Sequence, residues 1–244
     1  MSRNGLLLIA AWLLSGAALV LLETPPAFMT FVFVVLGWIV ALAVHEFGHA
    51  FIAWKAGDHT VESRGYLTFN PLLYADVATS IVIPVIVLVI GGIALPGGAV
   101  YLRPDLMRSP LWRSAASLAG PLGTLIVLIA LAALMALAGV MDWTGALWPA
   151  VGLLALFQAM AFVFNLLPVP GLDGYGVIRP FLPPDLQARL APVERFAIFA
   201  LIAVVLFLPG ASEALFKTAV SLTSVFGVDT RLIAQGWMDF HFWE

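Results

Sequence analysis

The stretch FMTFVFVVLGWIVALAVHEFGHAFIAW, residues 28–54, decides how this chain folds. It is long enough to cross a bilayer as one helix, since about 20 apolar residues suffice. Its only ionisable residues are His45, Glu46 and His49. Ionisable side chains inside an apolar helix are costly unless they are paired or ligated. The stretch therefore predicts a transmembrane helix that contains a polar site.

The remainder of the chain is also strongly apolar. Of its 244 residues, 62% are hydrophobic and 10% are charged, and the mean hydropathy is +1.05. A soluble domain usually carries about a quarter charged residues, so a water-soluble globule is excluded, and the hydrophobicity also excludes disorder. The net charge is −3 and the basic residues are scattered, so no nucleic-acid surface is predicted. We expect an all-α, multi-pass membrane protein whose partner is the lipid bilayer.

Five apolar runs predict helices in or beside the membrane. They cover residues 5–22, 28–54, 111–139, 146–167 and 195–208. The first run, preceded by Arg3, has features of a signal peptide, but no small-residue cleavage site follows it, so a retained helix is favoured. The tail, 209–244, ends in a Trp-rich segment typical of membrane interfaces. We predict one membrane domain over residues 1–244, with 195–208 as a peripheral helix.

A sixth apolar run, residues 77–95, is interrupted by Pro84 and by a glycine pair. Basic residues mark the cytosolic side of a membrane protein, and the linkers 23–27 and 140–145 contain none. If run 77–95 dips into the membrane and returns, every basic residue before the tail lies on the face opposite those linkers. These residues are Arg3, Lys55, Arg64, Arg103, Arg108, Arg113, Arg179, Arg189 and Arg195. We therefore predict a re-entrant segment whose backbone is covered by protein.

Two short stretches on the same cytosolic side mix Gly with aromatic and β-branched residues. They are GYLTF, residues 65–69, and GAVYL, residues 98–102. This composition predicts small β-strands. Such strands would offer main-chain groups with which an extended peptide can pair.

The ionisable residues of the 28–54 helix form the pattern HEFGH at residues 45–49. Residues four apart lie on the same helix face, so both imidazoles can bind one Zn²⁺ while Glu46 acts as a general base for water. The chain has no cysteine and 4 His residues, so metal ligands must be His, Asp or Glu. An alternative is that the motif lies where the helix leaves the bilayer, with each histidine hydrogen-bonded in a packed bundle.

A catalytic zinc usually has three protein ligands and one open position. The third candidate is Asp173, in the segment NLLPVPGLDG at residues 165–174, which closes the apolar run 146–167. Pro and Gly residues end the helix there and can turn the carboxylate towards the bundle. The alternatives are His59 or His241 as the ligand, with Asp173 as an ordinary turn or capping residue.

The positions of these candidates constrain the topology. His45 and His49 lie in the C-terminal half of their helix, and Asp173 follows the C-terminal end of its own. These ends meet only if the two helices are parallel, with one antiparallel span, residues 111–139, between them. That arrangement again requires run 77–95 not to cross. Metal geometry and charge distribution therefore predict the same topology.

The chain resembles the site-2 protease family of intramembrane zinc metalloproteases, in its compact prokaryotic form without PDZ or CBS domains. The resemblance rests on HEFGH (45–49), NLLPVPGLDG (165–174), AGPLGT (119–124) and GYLTFNP (65–71). It implies a three-helix catalytic core within residues 28–180. It also implies one Zn²⁺ held by His45, His49 and Asp173. Glu46 would then activate water to cleave transmembrane segments of other membrane proteins.

The resemblance singles out two further residues. Asn165 matches the family's Asn ahead of the Asp motif, and Thr124 stands where the family commonly carries Asn. Both are expected to bind substrate or to orient the site, with plain helix termination as the alternative role of Asn165. The resemblance also implies a site nearer the cytosolic face of a prokaryotic cell membrane, with separate adaptor or regulatory proteins as further partners.

Two other functions use the same residues. A zinc transporter needs successive polar sites along its spans, and the other predicted spans contain almost no ionisable residues. A catalytically weak or inactive relative would act as a membrane-protein adaptor, which the intact Glu46 disfavours and Thr124 leaves open. Hydrolysis is therefore the preferred hypothesis.

Overall fold

A computed structural model describes residues 1–73 and 100–243. In this part of the chain the regular structure is helical, and it contains no strand. The α-helices are α1 (Arg3–Leu21), α2 (Met29–Ala56), α3 (Thr60–Ser63), α4 (Pro110–Val140), α5 (Leu147–Asn165), α6 (Asp173–Ile178), α7 (Pro184–Phe207), α8 (Ala211–Val225) and α9 (Thr230–Phe240). Single 3₁₀ turns lie at Tyr66–Thr68, Pro71–Leu73, Pro104–Leu106 and Arg179–Phe181.

Within the described residues, α1, α2, α4 and α5 are long and apolar enough to cross a membrane. They coincide with four of the five predicted runs, which confirms an all-α polytopic membrane protein. The fifth run, 195–208, lies inside α7, which begins earlier, at Pro184. The predicted re-entrant run, 77–95, lies outside the described residues.

Helix α5 forms the centre of the bundle and α1 lies at its edge. In the apolar 18-residue stretch of each helix, 83% of the residues of α5 are buried inside the protein, whereas 22% of those of α1 are. A helix that is apolar on all sides suits a fully buried position, and the sequence of α5 contains no charged residue. The exposed leucines of α1 provide a surface for lipid.

Small residues allow α2 and α4 to approach closely at the level of the HEFGH motif. A Cβ atom on Gly48 would lie 2.6 Å from the carbonyl oxygen of Ala119, and one on Gly123 would lie 3.1 Å from that of Val44. Small residues at helix contacts are a common route to tight packing in membranes. The backbone of α4 therefore runs directly beside the two histidines of α2.

The described stretches that flank residues 74–99 both attach near the C-terminal end of α2. The N–H of Arg108 donates to the carbonyl oxygen of Ala56 at 3.1 Å. On the other side, the ring of Phe69 packs against that of Phe47, with centroids 6.2 Å apart. The N–H of Ser2 donates to Thr68 O at 2.7 Å, so the start of α1 lies at this same end of the bundle.

The prediction of a strand at residues 65–69 is wrong, because these residues form a tight turn. Gly65 and Phe69 both have left-handed backbone angles, with φ of 77° and 57°. The N–H and the hydroxyl of Thr68 both donate to the carbonyl oxygen of Gly65, at 3.0 and 2.6 Å. A left-handed residue breaks an extended strand, and the Thr hydroxyl stabilises the turn that replaces it.

The second predicted strand, 98–102, is also not formed in its described part, residues 100–102. Its main-chain groups bond to side chains instead of a neighbouring strand. The N–H of Val100 donates to Glu46, and the carbonyl oxygen of Tyr101 accepts from Arg64. The residue types were compatible with a strand, but the backbone finds its partners elsewhere.

The tail folds back onto the bundle through aromatic contacts. Phe240 of α9 is fully buried. Its ring centroid lies 5.0 Å from that of Phe31 in α2 and 5.9 Å from that of Phe157 in α5. Gly236 packs directly on the carbonyl of Pro149, where no side chain would fit. Helix α9 thus covers the side of α5 and the first turn of α2.

Candidate metal centre

Helix α2 presents two histidines on one face in the interior of the bundle. His45 and His49 are each 7% exposed. Their Nε2 atoms are 3.0 Å apart, as expected for residues separated by one helical turn. The spacing of four residues therefore places two metal-binding nitrogens on one face of a single helix.

Asp173, the first residue of α6, meets both histidines. Its Oδ2 atom lies 3.2 Å from His45 Nε2, and its Oδ1 atom lies 3.2 Å from His49 Nε2. The turn between α5 and α6 contains Gly171 with a φ of 95°, a left-handed angle that favours glycine. Gly174 packs on the carbonyl of Leu166, where a Cβ atom would collide. The Gly of the Asp-Gly pair thus lets α6 return onto the end of α5.

The spacing of the three donors fits a zinc ion. Ligands at 2.0–2.1 Å from a tetrahedral ion lie about 3.3 Å from one another. Here the two Nε2 atoms are 3.0 Å apart, and each lies 3.2 Å from its nearest carboxylate oxygen of Asp173. Among the described residues, His45, His49 and Asp173 are the group of His, Asp and Glu side chains that can hold a metal ion. Two imidazole nitrogens and a carboxylate are typical ligands of catalytic zinc.

Gly120 of α4 lies against the two ligand nitrogens. A Cβ atom on Gly120 would collide with His49 Nε2 and would lie 2.7 Å from His45 Nε2. The absence of a side chain at Gly120 therefore keeps the space beside the donors open.

Helix α4 also orients the two imidazole rings. His49 Nδ1 lies 2.7 Å from the carbonyl oxygen of Ala116, and a carbonyl only accepts, so Nδ1 carries the proton. His45 Nδ1 lies 2.9 Å from Thr124 Oγ1, whose hydroxyl donates to Gly120 O at 3.5 Å. Both rings are then protonated at Nδ1, and both Nε2 lone pairs face the centre. Such partners hold the rings of metal-binding histidines in place.

Thr124 is thus placed to orient His45, one of the two roles expected for it. It is 2% exposed. Sequence reasoning missed the contributions of Ala116 O and Gly120. Ala116 acts through its main-chain carbonyl, and Gly120 acts by having no side chain. Neither role can be recognised from the type of side chain in the sequence. The Ala-Gly-Pro segment at 119–121 is the one signal that could have drawn attention to this turn of α4.

Glu46, the candidate general base, lies next to His45 on α2 and is 3% exposed. Its Oε2 atom accepts a hydrogen bond from the main-chain N–H of Val100 at 3.1 Å. In the described part of the chain this is the side chain's one hydrogen bond, so the Oε1 atom is left for another partner.

The remaining candidates lie in different environments. Asn165 is the last residue of α5 and is 6% exposed. Within residues 1–73 and 100–243, no hydrogen bond is made by its side chain. His59 packs on the ring of Trp54, and His241 Nδ1 donates to the carbonyl oxygen of Trp237. Neither His59 nor His241 belongs to this group of donors, in which Asp173 accompanies the two histidines.

The carboxyl of Asp173 is held in its charged form. When the Nε2 atoms carry protons instead of a metal ion, burial raises the pKa of Asp173, but the charge of His49 and hydrogen bonds from both imidazoles outweigh burial and hold that pKa below its ordinary value. Helix α6 is also tied to α7. The hydroxyl of Tyr175 donates to Glu194 Oε1 at 3.0 Å, and Arg179 Nε lies 3.1 Å from the same atom.

Comparison with known proteins gives three informative relatives. Rip2 of Mycolicibacterium smegmatis is 40% identical over 217 residues, covering 88% of this chain and 82% of Rip2. Rip2 of Mycobacterium tuberculosis strain H37Rv is 44% identical over 216 residues, with the same coverage. YwhC of Bacillus subtilis is 31% identical over 182 residues, covering 67% of this chain and 75% of YwhC.

All three relatives are named as candidate zinc metalloproteases. No family model matches the chain, and no solved structure matches it. The similarity to Rip2 extends over most of both proteins. The zinc chemistry in the name of Rip2 agrees with the group of His45, His49 and Asp173, which can hold a metal ion. The chain therefore belongs to the site-2 protease family of zinc metalloproteases.

Proposed function

We propose that this protein hydrolyses peptide bonds within transmembrane segments of other membrane proteins. His45, His49 and Asp173 would hold one Zn²⁺, and Glu46 would act as the general base. The observation that carries the proposal is the convergence of the three donors at 3.0 to 3.2 Å inside the bundle, with two of them on a helix able to cross the membrane.

A bound Zn²⁺ would supply a Lewis acid that polarises the scissile carbonyl and lowers the pKa of water. Glu46 accepts the proton of the attacking water, and the same carboxyl then donates it to the departing amide nitrogen. The burial of Glu46 strengthens these proton transfers, because little bulk water competes for its oxygen atoms. The α4 partners keep the two imidazoles aligned throughout.

Asn165 is the residue best suited to bind the substrate main chain. Its side-chain amide carries both donors and an acceptor, and within the described residues it makes no hydrogen bond although it is nearly buried. A peptide bond must leave its helical hydrogen bonds before it can be attacked. An Asn side chain at the end of α5 can satisfy one freed N–H and one freed carbonyl group.

The active site would lie nearer the cytosolic face of a bacterial cell membrane. Lys55 is in the last turn of α2, and Arg64, Arg103 and Arg108 follow in segments that attach to that end. Positive residues favour the cytosolic side, and His49 lies less than two turns before Lys55. We place the catalytic core within residues 28–180 of one membrane domain, with separate adaptor or regulatory proteins as further partners.

The test uses the full chain reconstituted in liposomes, as wild type, Glu46→Gln and Asp173→Ala. The probe is a fluorogenic peptide with a Leu/Ala-rich 20-residue span that contains one Gly-Ser pair. We expect about one zinc per chain in wild type and in Glu46→Gln, and a marked loss in Asp173→Ala. Cleavage should fall by at least about 10²-fold in Glu46→Gln, in line with the loss of a general base.

Cleavage by Glu46→Gln at the wild-type rate would contradict the role of Glu46. Zinc content unchanged in Asp173→Ala would contradict the ligand assignment. A zinc-loaded wild type that cleaves no span would favour the adaptor function over hydrolysis.

A further inference from the structure

Asp58, just after α2, is a completely buried carboxylate that has no assigned role. It is 0% exposed, and in the described part of the chain no salt bridge joins it to a basic side chain. Its Oδ1 atom accepts from the N–H and hydroxyl of Thr60, at 3.1 and 2.5 Å. Its Oδ2 atom accepts from the main-chain N–H of Arg103 at 2.7 Å.

The guanidinium of Arg103 is not bonded to this carboxylate. It forms a two-pronged pair with the exposed Asp105 instead, at 2.9 and 2.7 Å. A buried carboxylate costs free energy unless hydrogen bonds compensate for the lost water. The buried carboxylate of Asp58 thus holds the main-chain N–H groups of Thr60 and Arg103 in place. The cost of burying it indicates that the position of these groups matters.

Asp58 provides one of four attachments that hold residues 100–108 to the end of α2 and the turn after it. The second is the bond from Arg64 Nη1 to the carbonyl oxygen of Tyr101, at 3.1 Å. The other two come from Arg108, whose main-chain N–H donates to Ala56 O at 3.1 Å and whose Nη2 donates to Lys55 O. Together these attachments fix a segment that has no regular secondary structure at residues 100–103.

This fixed segment delivers one group to the active site. The N–H of Val100, three residues before Arg103, donates to Glu46 Oε2 at 3.1 Å. A carboxylate with one oxygen bonded from outside its own helix has its second oxygen held in a set direction. The orientation of Glu46 therefore depends on Val100, and the position of Val100 depends on the Asp58 attachment.

We propose that Asp58 is a positioning residue for catalysis, which holds Val100 so that its N–H orients the carboxylate of Glu46. The inference rests on the proposed function, because it needs Glu46 to act as the general base. Asp58 itself touches neither the metal ligands nor Glu46. The opposite interpretation, that residues 100–103 block Glu46 until a substrate displaces them, predicts faster catalysis when the attachment is cut.

The first test measures hydrogen exchange of the amides of residues 100–103 in the full chain in detergent. These amides should exchange at least about tenfold faster in Asp58→Ala than in wild type, because loss of a hydrogen-bonded anchor allows local opening. Asp105→Asn is the matched control, since it removes an exposed carboxylate from the same segment, and it should leave the exchange unchanged. Unchanged exchange in Asp58→Ala would overturn the proposal.

The second test separates kcat, KM and zinc content, with the fluorogenic transmembrane peptide as the probe. Asp58→Ala should lower kcat about tenfold or more, since small misplacements of a catalytic group are costly. KM should stay within about twofold, and zinc should remain near one per chain. Arg64→Met, at an exposed position that tolerates substitution, should lower kcat by a smaller factor. A rise in kcat, or a loss of zinc in Asp58→Ala, would overturn the proposal.

A double-mutant cycle tests whether Asp58 acts through Val100. Val100→Pro removes the N–H, so adding Asp58→Ala to it should cause little further loss of kcat, and additive losses would refute the connection. The hydrogen-exchange test does not depend on cleavage. If wild type cleaves nothing, the proposed function fails, while exchange at residues 100–103 still decides whether Asp58 holds the segment.

Discussion

The two histidines and Asp173 meet at one centre, but their supports are built differently. His45 and His49 lie on a single 28-residue helix, and α4 fixes both rings through Thr124 and Ala116. Asp173 begins a six-residue helix that follows an irregular turn. Its position depends on close packing at Gly174 and on the attachment to α7.

This contrast indicates where the centre is sensitive to distant change. One helical turn sets the spacing of the histidine pair, and that spacing is the same wherever α2 lies. The third donor requires α5, α6 and α7 to be packed correctly. Changes remote from the metal should therefore act mainly through the Asp173 side.

The largest effect is expected from removing a ligand. His49→Ala and Asp173→Ala should each weaken zinc binding by more than the 10- to 100-fold typical of losing an orienting partner. Asp173→Ala should retain the higher affinity of the two, because it keeps the two histidines that one helix aligns. Titration against a fluorescent zinc chelator measures both affinities. The reverse order would contradict the idea of a preformed histidine pair.

The next effect comes from filling the space that two glycines leave open. Gly120→Ala presses on the ligand nitrogens, and Gly174→Ala pushes α6 away from the end of α5. Either change should weaken zinc binding by about 10- to 100-fold, because it displaces ligands without removing them. Gly139→Ala, also in α4, is the control, since its Cβ atom would meet nothing within 4 Å. Full affinity in both test variants would argue against close packing at the centre.

A smaller effect is expected from Thr124→Val, which keeps the shape of the side chain and removes the hydroxyl. His45 then loses the partner that holds its Nδ1 proton, and zinc affinity should fall about tenfold. Thr124→Ser restores the hydroxyl and should restore affinity, as measured by the same chelator titration. If the Thr124→Val and Thr124→Ser variants bind zinc with the same affinity, the Thr124 hydroxyl has no orienting role and the side chain only fills space.

The smallest effect is expected at the attachment of α6 to α7. Glu194→Gln weakens the hydrogen bond from Tyr175 and removes the ion pair with Arg179. Because this link is partly exposed, zinc affinity should fall only two- to fivefold, about 0.4–1 kcal/mol. Glu213→Gln breaks the exposed pair with Lys217 on α8 and should change nothing. Isothermal titration of zinc into both variants distinguishes the two pairs. Equal zinc affinities of the Glu194→Gln and Glu213→Gln variants would mean that α7 does not support Asp173.

Much of the architecture could be predicted from local pattern. Four of the predicted runs became spanning helices, because 20 apolar residues in lipid must satisfy their backbone internally and a helix does so. The strand predictions were wrong at residues 65–69 and at 100–102, the described part of 98–102, because no neighbouring strand pairs with them there. Short irregular stretches take their structure from their partners, here the Thr68 hydroxyl, Glu46 and Arg64.

The sequence by itself determined the helical membrane class and the relation between His45, Glu46 and His49, since apolar length and residue spacing act within one helix. It also pointed to Asp173 as a candidate, though with His59 and His241 as alternatives. Only the tertiary structure decided which of these reaches the pair. It also decided that Thr124 and Ala116 orient the rings and that Val100 bonds to Glu46. These contacts join residues more than 50 positions apart. Contacts between helices produce no periodic pattern in the sequence from which they could be predicted.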